Sequence, residues 1–93
     1  MRDRLLEKLN NQRREIDTID DQMLQLLEKR LEIVKKIAEV KSREGFPIRD
    51  TNREQAILDS VAIKGEKLGL DPELAKRFFR NIIELSVEVE QKL

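Results

Sequence analysis

Residues 3–43 read DRLLEKLNNQRREIDTIDDQMLQLLEKRLEIVKKIAEVKSR, a stretch without a single proline or glycine. Within it Leu5, Leu9, Ile16, Ile19, Met23, Leu26, Leu27, Ile33, Val34 and Ile37 recur at helical spacing, so one face of a very long amphipathic helix is apolar. Forty residues at about 1.5 Å each make roughly 60 Å of helix. A compact chain of 93 residues has a diameter of only about 32 Å. Half of the stripe therefore needs cover from another chain, and a two-fold homodimer with paired first helices is the economical arrangement.

The remaining punctuation sets the other helices. Glu44-Gly45-Phe46-Pro47 ends the first one, because Gly suits the left-handed position after a helix and Pro excludes its predecessor from helical geometry. A second helix over about 51–68 is expected to bury Ile57, Leu58, Val61 and Ile63, with Gly65 weakening its last turn. Asp71-Pro72-Glu73 opens a third helix over about 72–92, with an N-cap, a proline at the first helical position and an acid in the first turn. Its apolar stripe is Leu74, Phe78, Phe79, Ile82, Ile83, Leu85 and Val89. The fold class is all-α, with three helices in a single domain spanning 1–93.

Composition narrows the chemistry. Nineteen Lys and Arg against nineteen Asp and Glu cancel, which removes the basic field of a nucleic-acid binder. With neither Cys nor His there is no disulfide, thiolate, imidazole base or common metal ligand, so no metal site and no cofactor is expected. The charged N-terminal stretch resembles no signal peptide, and no apolar run approaches the roughly 18 residues of a membrane span. The expectation is a soluble, cytoplasmic protein with no membrane or nucleic-acid partner. An enzyme of this composition has to hold and polarise its substrate with Arg, Lys, Asp and Glu.

Three cations interrupt the long apolar stripe. Arg13 lies between Leu9 and Ile16, Arg30 between Leu26 and Ile33, and Lys41 four residues after Ile37. Burying a cation without an anion costs several kcal/mol, so three on one stripe point to an anion-binding cavity. Arg30 and Lys41 are about 16 Å apart along the axis but only about 20° apart around it, so their side chains can converge. Arg13, about 25 Å before Arg30 on the same helix, reaches such a site only from an antiparallel partner. That pairing places the two-fold near residue 24, within the apolar seam of Met23, Leu24 and Leu27.

Two further groups stand out. In Pro47-Ile48-Arg49-Asp50-Thr51-Asn52-Arg53-Glu54, Thr51 and Glu54 fit a capping box. Asp50 and Glu54 are also one turn apart and could both accept from a hydroxyl, with Arg53 adding a donor. Ser86 and Glu90 continue the Phe79, Ile83 row at steps of three and four, at the edge of the buried face or in a site.

Arg13, Arg30, Lys41, the Asp50-x-x-Arg53-Glu54 run nine residues after the lysine, and the Ser86 and Glu90 pair together resemble the all-helical class of chorismate mutase. The likeness covers essentially the whole chain. It implies an intertwined homodimer that converts chorismate to prephenate on the route to phenylalanine and tyrosine. By that likeness, Arg30 and Arg13 of the second protomer hold the substrate carboxylates, with Ser86 beside one of them. Lys41 and Glu90 reach the ether oxygen, Asp50 and Glu54 the ring hydroxyl, and Arg53 lines the site. Some members carry Gln where this chain has Glu90, and a carboxylate cannot donate a hydrogen bond, so Glu90 would act as the acid.

The reaction suits the composition, because a pericyclic rearrangement needs no nucleophile. Restraint of a flexible dianion and fixed positive charge at the ether oxygen suffice. Two other readings stay open at this stage: an isochorismate-pyruvate lyase of the same fold, and a non-catalytic dimeric regulatory module.

Overall fold

The computed structural model describes residues 1–93 and contains three helices: α1 (Arg2–Glu44), α2 (Thr51–Lys67) and α3 (Pro72–Gln91). The chain divides into two units, Met1–Glu32 and Ile33–Leu93, with α1 running through both.

Met1–Glu32 is helical from Arg2 onward, and its apolar side chains are open to solvent: Leu5, Ile16, Ile19, Met23, Leu24 and Leu26 are all exposed. Only Leu27, Arg30 and Leu31 are half-buried.

In Ile33–Leu93, α2 packs along α3. The buried apolar residues of the chain all lie here, Val34 from α1 with Ile83 and Val87 from α3. Around them Ile57, Leu58 and Val61 of α2 and Phe79, Ile82 and Val89 of α3 are half-buried. Ile63, expected inside, is exposed. It follows Val61 by two residues, about 200° around the helix, and so points away from α3. Leu74, Phe78 and Leu85 are exposed as well. They form a second row beside the buried one, and the apolar face of α3 is wider than α2 alone covers.

The caps explain the boundaries. Gly45 takes φ 72° and the Phe46 N–H donates to the Lys41 carbonyl at 2.8 Å, which closes α1 with a Schellman turn. Gly69 at φ 82°, with Leu70 N–H donating to the Gly65 carbonyl at 2.9 Å, closes α2 in the same way. Asp71 caps α3 as expected, accepting from the Glu73 N–H at 3.0 Å, with Pro72 first in the helix.

The start of α2 departs from the expected capping box. Asp50, in extended conformation, is the N-cap, and its Oδ1 accepts from the Arg53 N–H at 3.0 Å. Glu54 does not reach back to a backbone amide, since the Arg49 guanidinium, a full positive charge, takes its carboxylate instead. Gly65 has a role beyond weakening a helical turn. It is buried, and a Cβ there would stand 3.0 Å from the Ala75 Cβ, so the missing side chain is what lets α2 approach α3.

Candidate functional site

Lys41 lies in the last turn of α1, where the Schellman turn folds the following segment back over it. Its Nζ donates to the Ile48 carbonyl at 2.6 Å and to Glu90 Oε1 at 2.9 Å. Glu90 sits on the most buried row of α3 (Ile83, Ser86, Val87, Glu90), with 6% of its side chain exposed. A carboxylate so placed needs a compensating cation, and Lys41, 21% exposed, supplies it. Ser86, one turn earlier, is also buried and donates its hydroxyl to the Ile82 carbonyl at 2.9 Å.

Lys41 and Glu90 share the wall of an open cleft of about 720 Å³ whose lining also includes Lys35, Arg43, Phe46 and Ile48. That volume is in the range that takes a small organic molecule. Its charged lining is mixed, Lys35, Lys41 and Arg43 standing with Glu39 and Glu90, and Phe46 and Ile48 supply apolar surface. No three carboxylates converge as a metal site would require.

The start of α2 carries a second polar cluster. Arg49 donates Nη2 to Glu54 Oε1 at 2.7 Å and Nε to Glu54 Oε2 at 3.3 Å. The same guanidinium grips Glu84 of α3, with Nη2 at 2.6 Å from Oε1 and Nη1 at 3.3 Å from Oε2. Hydrogen bonds to Glu54, then to Glu84, raise the Arg49 pKa above its ordinary value. Hydrogen bonding from Arg49 lowers that of Glu84.

Of the residues singled out from sequence, Lys41 and Glu90 are in direct contact, and Ser86 is one turn from Glu90 on the same row. Asp50 and Glu54 open α2, where Asp50 caps the helix and Arg53 is exposed. Arg13, exposed, and Arg30, half-buried, belong to Met1–Glu32. Sequence reasoning passed over Arg49 and Glu84 as functional residues, and also the Ile48 carbonyl. Arg49 stood inside the quoted Pro47–Glu54 run. Its link to Glu84 spans 35 residues, and no local spacing signals such a link.

This arrangement has known relatives. Residues 12–91 match the family described as chorismate mutase type II. The chain belongs to that family. It is 34% identical over 80 residues to the chorismate mutase of Methanocaldococcus jannaschii, covering 86% of this chain and 81% of that protein. It is 42% identical over 81 residues to the bifunctional chorismate mutase/prephenate dehydratase of Buchnera aphidicola subsp. Schizaphis graminum, covering 87% of this chain and 21% of the relative. The T-protein of Enterobacter agglomerans is 38% identical over 86 residues, which are 92% of this chain and 23% of that protein. The chain thus spans less than a quarter of these two longer relatives and most of the archaeal chorismate mutase. Three helices without a strand agree with an all-helical chorismate mutase type II domain.

Proposed function

We propose that this chain catalyses the rearrangement of chorismate to prephenate, as a homodimer in the cytoplasm. The observation that carries the proposal is the Lys41–Glu90 pair at 2.9 Å on the wall of an open cleft, in a chain of the chorismate mutase type II family. The reaction breaks the ether C–O bond as a C–C bond forms, and negative charge grows on the ether oxygen. A fixed ammonium there lowers the barrier, because the donor is already oriented when the charge appears. Lys41, tethered by Ile48 and Glu90, meets that requirement. Glu90, as the ion-pair partner of Lys41, fixes the direction of that ammonium.

Arg30 and Arg13 of the second protomer hold the two carboxylates, with Ser86 beside one of them, and so restrain the flexible dianion in its reactive conformer. Asp50 and Glu54 accept from the ring hydroxyl, and Arg53 lines the site at the start of α2. The homodimer is supported by the apolar row of α1, whose members Leu5, Leu9, Ile16, Ile19, Met23 and Leu26 are exposed. An apolar surface of that extent marks an interface. The small core points the same way, since three buried apolar side chains at roughly 1.5–3 kcal/mol each offset little of the conformational entropy of folding.

Loss of chorismate absorbance with purified protein, accompanied by formation of prephenate, tests the assignment. Pyruvate release from isochorismate without any chorismate rearrangement would favour the lyase instead. A folded dimer inert toward both compounds would be a non-catalytic module.

A further inference from the structure

We propose that Arg49 is a positioning residue of this site: paired hydrogen bonds to Glu54 and Glu84 hold the Glu54 carboxylate, and the segment between α1 and α2, in working geometry. The inference rests on the mutase reading above and extends it to a residue that does not touch substrate.

The geometry is that of a clamp. Arg49 uses its planar fork on two carboxylates at once, one in the first turn of α2 and one on α3, with short contacts of 2.7 and 2.6 Å and longer ones of 3.3 Å to each. The two acids differ in surroundings, Glu54 with 21% of its side chain exposed and Glu84 with 58%. Glu84 is thus an anchor on the outer surface of α3, while Glu54 is half-buried. The residue before Arg49 is Ile48, whose carbonyl accepts from Lys41 Nζ at 2.6 Å. One short segment therefore holds the ammonium with its backbone at Ile48 and the Glu54 carboxylate with the side chain of Arg49.

Electrostatics supply the reason for a cation at this place. A carboxylate meant to accept from a substrate hydroxyl also repels a dianionic substrate, and Glu54 has Glu84 and Asp50 as further negative neighbours. Arg49 offsets that charge while occupying only two of the roughly four lone-pair positions of the Glu54 carboxylate. Lysine cannot replace it well, because a point charge does not chelate two carboxylates in a plane.

The test is steady-state kinetics on Arg49→Ala, Arg49→Lys, Glu84→Gln, Glu54→Gln and the double variant Arg49→Ala/Glu54→Gln, with circular dichroism and melting to normalise for folded protein. Arg49→Ala is expected to raise KM for chorismate about tenfold, the loss typical of a hydrogen bond to a charged group, with kcat nearly unchanged. Arg49→Lys recovers part of that rise, and Glu84→Gln shows a smaller rise in the same direction. The double variant is no worse than the worse of its two single parents, because both changes remove the same held carboxylate. Additive losses in the cycle overturn the role, as does an Arg49→Ala protein that melts earlier but keeps the parental KM, since that is the behaviour of a surface ion pair. Wild-type protein without mutase turnover instead overturns the functional reading, and the positioning role with it.

Discussion

Lys41 at the end of α1 and Glu90 near the end of α3, 49 positions apart in the chain, meet at 2.9 Å. Each explains the other's burial. The ammonium makes a buried carboxylate tolerable, and the carboxylate, with the Ile48 carbonyl, aims the ammonium along the cleft wall.

That aim sets the first expected outcome. Lys41→Ala loses about 10²- to 10³-fold in kcat, because it removes a preorganised donor to charge that grows in the transition state. Asp50→Ala loses mainly in KM, since a hydroxyl contact is present in ground and transition states alike. Equal kcat losses in the two variants would refute this division of labour.

Glu90→Gln reads what Glu90 does for Lys41. The amide keeps a side chain of the same reach but removes the charge that pairs with the ammonium. Loss of kcat comparable to that of Lys41→Ala assigns Glu90 the orienting role, whereas full kcat in the Gln variant would show that the ion pair is not needed to aim Lys41.

Composite sites make two inactive variants complement each other. Co-refolding Arg13→Ala with Arg30→Ala yields heterodimers in which one site carries both lesions and the other carries neither. Activity is expected to return in the mixture to a substantial fraction of the heterodimer content. Total failure to recover, with mixed dimers verified by mass, would sink the shared-site arrangement.

Acid should erase the contribution of Glu84. Its pKa is lowered by hydrogen bonding from Arg49, so its carboxylate stabilises the fold fully above the ordinary glutamate value of about 4.3. That contribution is lost as pH falls from there through the lowered folded value. Melting of Glu84→Gln should fall slightly below wild type at pH 7, and the two curves should converge below about pH 4. A gap that persists at acid pH would assign the effect to something other than the Arg49 pairing.

Gly65→Ala sets helix propensity against packing. Alanine gains about 1 kcal/mol over glycine in a helix interior, yet the new Cβ would lie 3.0 Å from the Ala75 Cβ, which moves only with its helix. The net change is expected to be destabilising by about 1–2 kcal/mol, and the double change with Ala75→Gly should restore the loss. Urea unfolding of the wild type and these two variants measures it.

Much of the fold was legible in the order of residues. An unbroken helical period over 3–43, the Gly45 and Gly69 stops and the Asp71-Pro72 start are local signals, and the observed helices begin and end within about one residue of where those signals put them. Local chemistry misled at the start of α2, where the sequence pattern Thr51–Glu54 describes a capping box but the neighbouring Arg49 charge draws Glu54 away and leaves the cap to Asp50. It misled also at Ile63, because hydrophobicity alone does not tell which part of a helix face a partner covers.

The candidate site divides along the same line. Residue type and spacing along one helix singled out Lys41, Ser86 and Glu90, since a charge on an apolar row is visible without coordinates. Which anion meets which cation was decided only by the tertiary structure. The turn at Gly45 brings the Ile48 carbonyl to Lys41, Glu90 reaches Lys41 from α3, and the packing of α2 along α3 sets Glu54 and Glu84 around Arg49. Helical periodicity is written into hydrogen bonds between neighbours four residues apart, whereas pairing across 35 or 49 residues depends on how whole helices stack, and no local pattern carries that.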